Sequence, residues 1–250
     1  MKKLLLSGIT AVALMAAGTA QAGGLSLAGE TGVARTPLAM ALPPMSFAVA
    51  ADYVGSDAVL VPVRAEIGLP FGFELGGSYS FLDTNNDPQI WSVNAKWVLP
   101  QFVEGLGLAV GGHYNGQSFD NVDNNGYDFY SVVTYVAKIG EGMALIPSAG
   151  VKYDVLTDRE VGEDNAVKFF GSFLFKAPMF AVGGEFQSVD EDFDGPVDGS
   201  YWFGGRLFLG KMITLQAGYI NNVNFSDDGV ESIGDGVFHA GLQFAFSSGQ

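Results

Sequence analysis

From residue 45 to residue 246 the chain alternates apolar and polar residues with a period of two. Turn residues interrupt the alternation at short intervals, a pattern that predicts successive β-strands, because neighbouring side chains of a strand point to opposite faces. We predict about twelve strands. They cover residues 46–54, 58–69, 72–82, 89–99, 105–117, 127–139, 144–155, 166–175, 179–189, 200–209, 213–221 and 237–246.

The predicted strands have the length and the two-faced character of membrane-crossing strands. Most are close to the ~9–11 residues that a tilted strand needs to cross a bilayer. In the last of them Phe238, Leu242 and Phe246 oppose His239 and Gln243. One face is therefore apolar, and the other carries polar residues and many glycines.

The connections between these strands alternate in length and charge. Four are tight, at residues 69–72, 139–142, 176–178 and 210–212. Five are longer, at residues 83–88, 118–126, 157–165, 190–199 and 222–236, and together they contain seventeen acids and a single base, Arg159. Short turns on one side and long loops on the other are typical of outer-membrane barrels, periplasmic and extracellular respectively.

These signals together predict an all-β fold, a single closed antiparallel transmembrane β-barrel with up-and-down topology. Twelve strands fit best, and ten or fourteen are also compatible with the pattern. An even number places both ends of the barrel on the periplasmic side. We divide the chain into a signal peptide at residues 1–22, a periplasmic N-terminal segment at residues 23–44 and the barrel at residues 45–250.

The first residues have the features of an export signal. Met1-Lys2-Lys3 provides a basic start, an apolar stretch follows, and Ala20-Gln21-Ala22 is a small-residue cleavage motif. Cleavage is expected after Ala22. The signal and the predicted barrel together predict location in the bacterial outer membrane.

Composition excludes several classes of function. The chain has no cysteine, which excludes disulfides, thiolate metal sites and cysteine nucleophiles. Its formal net charge of −15 argues against nucleic acid as a partner. We expect no cofactor. The expected partners are outer-membrane lipid, lipopolysaccharide and the barrel-insertion machinery.

Over residues 45–246 the sequence resembles bacterial outer-membrane β-barrel proteins of the porin-like kind. The preceding segment, with Gly29-Glu30-Thr31-Gly32, Arg35-Thr36-Pro37 and Leu42-Pro43-Pro44, is similar to segments that lead into the first strand of some outer-membrane barrels. Such proteins usually end on an aromatic residue, which resembles a recognition tag for the insertion machinery. Here four residues follow Phe246.

The polar face of the predicted strands supplies the candidate pore-lining residues. They are Arg64, Glu66, Glu74, Lys96, His113, Lys138, Lys152, Asp154, Lys168, Glu185, Arg206 and His239. Two interpretations remain open: these charges line a narrow water-filled pore, or they pair with one another in a plugged lumen. Residues 23–44 have two possible places as well, in the periplasm or tucked into the barrel mouth.

The two histidines raise the question of a barrel-embedded lipid hydrolase. In barrel phospholipases a serine stands two residues after the histidine, and here that position is Asn115. Because a general base needs a nucleophile within hydrogen-bond reach, we expect no enzyme activity.

One acidic loop has the spacing of a calcium-binding loop. Asp190, Asp192, Asp194 and Asp198 stand at ligand positions, but Tyr201 occupies the place of the bidentate glutamate. We expect a solvated acidic loop that at most binds Ca²⁺ or Mg²⁺ loosely, or bridges through these ions to lipopolysaccharide phosphates.

The sequence therefore predicts a small passive channel for ions or small polar solutes. A closed structural or surface-interaction barrel with acidic extracellular loops is the alternative. Neither the solute nor the oligomeric state follows from the sequence.

Overall fold

A computed structural model describes residues 25–26, 32–33, 36–55, 59–83, 89–119, 122–158, 162–188, 199–221 and 236–247. Within these residues the chain forms thirteen β-segments. They are β1 Ser46–Gly55, β2 Val59–Gly68, β3 Phe73–Asp83, β4 Gln89–Val98, β5 Leu106–Phe119, β6 Val122–Tyr135, β7 Ala137–Gly140, β8 Met143–Asp158, β9 Gly162–Lys176, β10 Phe180–Ser188, β11 Gly199–Leu209, β12 Ile213–Asn221 and β13 Gly236–Ser247.

The segments close into one antiparallel barrel. β6 and β7 both pair with β8 and together form one barrel strand that is interrupted at Val136. The described segments therefore make twelve barrel strands, each paired with its neighbours in the sequence. The first strand pairs with the last over its whole length, from Ser46 opposite Ser247 to Gly55 opposite Phe238. This confirms the predicted closed up-and-down barrel.

One end of the barrel, here called the turn end, carries Ser46, Ser247 and the tight connections. The chain reverses there at residues 69–72, 99–105, 141–142, 177–179 and 210–212. Gly142 and Gly210 have φ values of 69° and 74°, a left-handed conformation that glycine adopts without steric cost. The connections at the opposite end, the loop end, lie outside the described residues.

Two predicted loops are partly strand. Residues 118–126 and 157–165 were predicted as connections, but β5 runs to Phe119, β6 starts at Val122, β8 runs to Asp158 and β9 starts at Gly162. Both hairpins continue as a ladder of main-chain hydrogen bonds beyond the apolar band. The apolar alternation does not continue through these residues, so the sequence pattern there resembles that of a loop.

The two faces of the wall differ as predicted. Phe81, Phe129, Phe169 and Phe203 point outward and are mostly exposed in the isolated chain, whereas inward polar residues are buried. Such an outward apolar surface suits contact with lipid. In the described part of the chain, no helix is long and apolar enough to cross a membrane.

Candidate functional site

The lumen of the barrel contains the chain's own N-terminal segment. The described residues of this inner segment are 25–26, 32–33 and 36–44, and most are buried. The sequence left two places open for residues 23–44, and the described residues lie in the second, inside the barrel, while the domain bounds stay a prediction. This placement has a physical cause: the apolar side chains of the segment meet an inward-facing apolar cluster.

That cluster joins the segment to the wall. Val33, Leu38 and Met40 of the segment pack with inward residues from both ends of the barrel. The wall residues are Val54, Leu60, Ala144, Ile146, Leu174, Trp202, Ile220 and Val237. Val33 and Leu38 have no exposed surface. The middle of the lumen is therefore filled, in the described residues, by apolar packing.

Two wall arginines donate to main-chain carbonyls of the segment. Nη1 of Arg64 lies 2.6 Å from the oxygen of Leu25 and 2.5 Å from that of Ser26. Nη2 of Arg206 lies 3.1 Å from the oxygen of Gly32 and 2.6 Å from that of Val33. Both guanidinium groups are buried, so their charges are stabilised by these carbonyls and by wall carboxylates.

Four wall side chains accept hydrogen bonds from the segment's main-chain nitrogens. The amide of Leu25 donates to Oε1 of Gln243 at 3.0 Å and that of Ala39 to Oγ1 of Thr134 at 2.9 Å. Two further amides donate to buried carboxylates: Thr36 to Oε2 of Glu185 at 3.1 Å, and Leu42 to Oε1 of Glu74.

Two short stretches of the segment lie side by side and are held by the wall. Gly32 forms a β-bridge with Pro37, and the amide of Val33 donates to the oxygen of Thr36 at 2.9 Å. Arg206 binds the first stretch at Val33, while Glu185 binds the second through both the amide and the hydroxyl of Thr36. We call this pair of wall residues, Arg206 and Glu185, the clamp.

Inward glycines make room for the segment. A Cβ at Gly107 would collide with the carbonyl oxygen of Ala39, and one at Gly68 would collide with that of Pro43. At its C-terminal end the segment turns into β1, where the amide and the hydroxyl of Ser46 donate to the oxygen of Pro43. This turn is the segment's covalent link to the barrel, and it lies at the turn end.

Behind the segment the wall carries a buried cluster of charges. Arg64 and Asp52 form an ion pair, and both side chains are fully buried. Nε2 of His239 lies 3.3 Å from Oδ1 of Asp52, which also accepts from Gln216. Nδ1 of His239 lies 3.4 Å from Nε1 of Trp202, which fits a neutral ring carrying its proton on Nε2.

A second buried pair lies nearer the turn end. Nζ of Lys96 is 2.5 Å from Oε2 of Glu74, the carboxylate that also accepts from the inner segment. Glu66 is buried as well, with 1% of its surface exposed. All three side chains are buried, and their role in lining a pore stays a prediction.

A third cluster lies on the opposite wall and is partly open. Nδ1 of His113 lies 2.6 Å from Oδ1 of Asp128. Nζ of Lys152 is 3.1 Å from Asp154, and Nζ of Lys168 is 2.8 Å from the same carboxylate. The two lysine side chains keep 20% and 23% of their surface exposed, so this part of the wall faces open space inside the barrel.

Lys138 does not join the other predicted pore-lining residues. It lies on β7 close to the turn end, its side chain is 65% exposed, and its amine is 3.7 Å from Glu104. Lys138 pairs with the buried, inward-facing Ala144 in the same register that pairs Thr134 with Ser148, so it lies on the inward face at the exposed rim of the barrel, and its role in lining a pore stays a prediction. An exposed pair of this kind contributes little to stability.

The predicted metal loop lies outside the described residues. Its candidate ligands are Asp190, Asp192, Asp194 and Asp198. Within the described part of the chain, no group of three or more potential ligands is placed to hold a metal ion.

Sequence reasoning missed several wall residues that contact the inner segment or its charges. Thr134, Gln216 and Gln243 are buried and inward, and each makes one of the hydrogen bonds above. Their signal was their place on the polar face of their strands. They were passed over because the selection favoured charged residues.

Comparison with known proteins shows where this architecture recurs. No protein-family model matches the chain, and no curated protein sequence is similar to it. Among solved structures, "KdgM porin" has a TM-score of 0.58 at 13% identity and covers 80% of this chain and 99% of its own. "NanC porin structure in rhombohedral crystal form" has a TM-score of 0.59 at 14% identity and covers 79% of this chain and 98% of its own. By its fold, the chain is similar to bacterial outer-membrane porins.

Proposed function

We propose that this chain is an outer-membrane channel for small polar or charged solutes, closed by its own inner segment. One observation carries the proposal: a segment linked to the barrel at Met45 fills a lumen whose wall is charged. If the segment withdraws, Arg64, Glu74, Glu185 and Arg206 would line an aqueous path. The same proposal assigns the turn end to the periplasm and the acidic loops to the outside.

The number of strands supports a channel. Barrels of about eight strands are filled by their own wall side chains, and those of sixteen to eighteen leave a channel. Twelve strands leave room for an additional stretch of chain. The porin names of the two solved structures with this fold agree with the proposal, although identity at this level bears on fold alone. The proposal gives His113 and His239 no catalytic role, since Asn115 occupies the position two residues after His113 where barrel phospholipases carry a serine.

A closed structural barrel is the second candidate. The pairing of buried charges favours it, because Arg64 with Asp52 and Lys96 with Glu74 are already compensated inside the wall. The two candidates differ in whether the inner segment ever leaves.

The test is a full-length variant in which the segment is expelled. Leu38 is fully buried in the apolar cluster, and a carboxylate there costs several kcal/mol to bury without a partner. We expect L38D to show several-fold higher average conductance than the native chain in planar bilayers. The conservative variant L38M should behave like the native chain.

Folding of both variants is checked by their β-sheet circular dichroism and by the shift in gel mobility on heating. A folded L38D barrel with the same average conductance as the native chain would contradict the channel and favour the closed structural barrel.

A further inference from the structure

We propose that the lumen wall is a binding surface for the main chain of an extended peptide, and that short peptides are the solutes it accepts. This inference rests on the proposed channel function, in which the inner segment withdraws. In the closed state the segment then acts as a tethered peptide that occupies the site.

The hydrogen bonds between wall and segment are directed at main-chain atoms. Arg64 and Arg206 donate to four carbonyl oxygens. Gln243, Glu185, Thr134 and Glu74 accept from four amides. Among the hydrogen bonds described above, only the one from Oγ1 of Thr36 to Glu185 involves a side chain of the segment.

The chemistry of these wall groups matches a peptide and fits a sugar less well. Guanidinium groups donate only, and carboxylates accept only, so Arg64 and Arg206 are fixed donors to carbonyls and Glu74 and Glu185 are fixed acceptors of N–H groups, whereas Thr134 and Gln243 can do both. A peptide presents both kinds of group along its main chain whatever its sequence. Sugar hydroxyls donate and accept equally and do not need such a division of roles.

Three of the four bound amides follow a regular spacing. Glu185 on β10, Thr134 on β6 and Glu74 on β3 take the amides of residues 36, 39 and 42, each three residues after the last. Between them, apolar side chains such as Leu38 enter the cluster of inward apolar residues. The wall therefore binds main-chain atoms at intervals and offers general apolar pockets between them.

Electrostatics favours this interpretation over simple filling. A buried arginine or glutamate is costly unless it is hydrogen-bonded, and apolar side chains would fill the lumen without that cost. Here buried charges on separate strands are aimed at main-chain atoms. A wall of this type stabilises an extended peptide of many sequences and leaves selectivity to the apolar pockets.

The test uses the full-length L38D variant and three synthetic peptides with blocked ends. The first has the native sequence of residues 25–42, and the second has the same composition in scrambled order. The third is the native peptide with N-methyl groups at the positions of Thr36, Ala39 and Leu42, which removes the three N–H donors and keeps every side chain. Binding is measured by fluorescence anisotropy in detergent, and block is measured as loss of conductance in bilayers.

We expect the native peptide to bind and block, and the scrambled peptide to bind within about tenfold of it. The N-methylated peptide should bind at least about tenfold more weakly, since each lost donor served a wall acceptor. Equal binding of the native and N-methylated peptides would overturn main-chain recognition. A scrambled peptide that fails to bind would overturn the peptide class and restrict the site to the chain's own segment.

The two proposals fail in different ways. If L38D conducts and no peptide binds, the channel stands and the peptide site falls. If L38D is folded and conducts no more than the native chain, the channel falls, and the peptide site, which needs the segment to withdraw, falls with it.

Discussion

At the scale of single residues, buried charges of the lumen wall interact both with other wall residues and with the inner segment. Arg64 pairs with Asp52 and also donates to the carbonyls of Leu25 and Ser26. Removing such a group leaves its partners buried without compensation, which is more damaging than the pair is stabilising.

We therefore expect Arg64→Met to lower the free energy of unfolding by about 3–5 kcal/mol, because the charge of Asp52 loses its main partner. Urea-induced unfolding in detergent measures the change. The double variant D52N/R64M should recover part of the loss. An R64M barrel of native stability would show that this pair contributes nothing.

Glycine at position 107 is expected to keep the inner segment in place. In Gly107→Ala the new Cβ meets the oxygen of Ala39, and overpacking of this kind costs about 1–3 kcal/mol. The average conductance should rise by about tenfold, the change in open population that such a cost produces. The matched control is Gly171→Ala, where a Cβ meets only an ordinary contact, 3.4 Å from the oxygen of Ser148. An equal response of both variants would exclude the inner segment as the cause.

At the scale of elements, the clamp formed by Arg206 and Glu185 holds the two stretches of the segment at residues 32–33 and 36–37. Thr36→Val keeps the shape of the side chain and removes the hydroxyl donor to Glu185. A hydrogen bond to a charged group is worth about 1.5–3 kcal/mol. We expect open events to become about tenfold more frequent in single-channel recordings.

The control for this prediction is Thr214→Val, which makes the same chemical change at a half-buried residue of β12. T36V recordings that match those of T214V and the native chain would show that the clamp does not hold the segment.

The sequence was sufficient to predict the strands and insufficient to predict the position of the inner segment. Period-two alternation located every barrel strand to within a few residues, because lipid on one side and the lumen on the other impose it. The strand extensions that end at Phe119 and Asp158 lack that alternation. The position of the inner segment depends on contacts such as Thr36 with Glu185, 149 residues apart, for which no local pattern exists.

The sequence predicted which charged residues face the lumen, but it did not predict which of them pair with one another. The inward positions of Arg64, Glu74 and Arg206 followed from their strand faces. Which charge pairs with which depends on the barrel's register and on the inner segment, so the two interpretations, open pore or plugged lumen, could not be separated from the sequence.

At the scale of the whole molecule, charge is distributed unevenly along the barrel axis. The sequence of the long connections contains seventeen acids and one base, Arg159. Such a field concentrates cations and repels anions at that mouth. We expect the open L38D channel to prefer cations over anions, as measured by the reversal potential in a salt gradient.

The preference should weaken at high salt, where charges separated by more than a few ångströms are screened. It should also weaken in the variant D190N/D192N/D194N. A reversal potential of the opposite sign, showing anion selectivity, would contradict this assignment.

The most direct test of the account is a reversible lock on the inner segment in the full-length chain. The amide nitrogen of Ala39 and Oγ1 of Thr134 are 2.9 Å apart, so the two residues are direct neighbours, and the native chain has no cysteine to interfere with a disulfide between them. In planar bilayers, A39C/T134C should open like the native chain when reduced and stay closed when oxidised, while the single variants A39C and T134C should ignore the redox state. Equal conductance of the oxidised and reduced double variant, with the disulfide confirmed by mass spectrometry, would contradict a gate formed by residues 25–44.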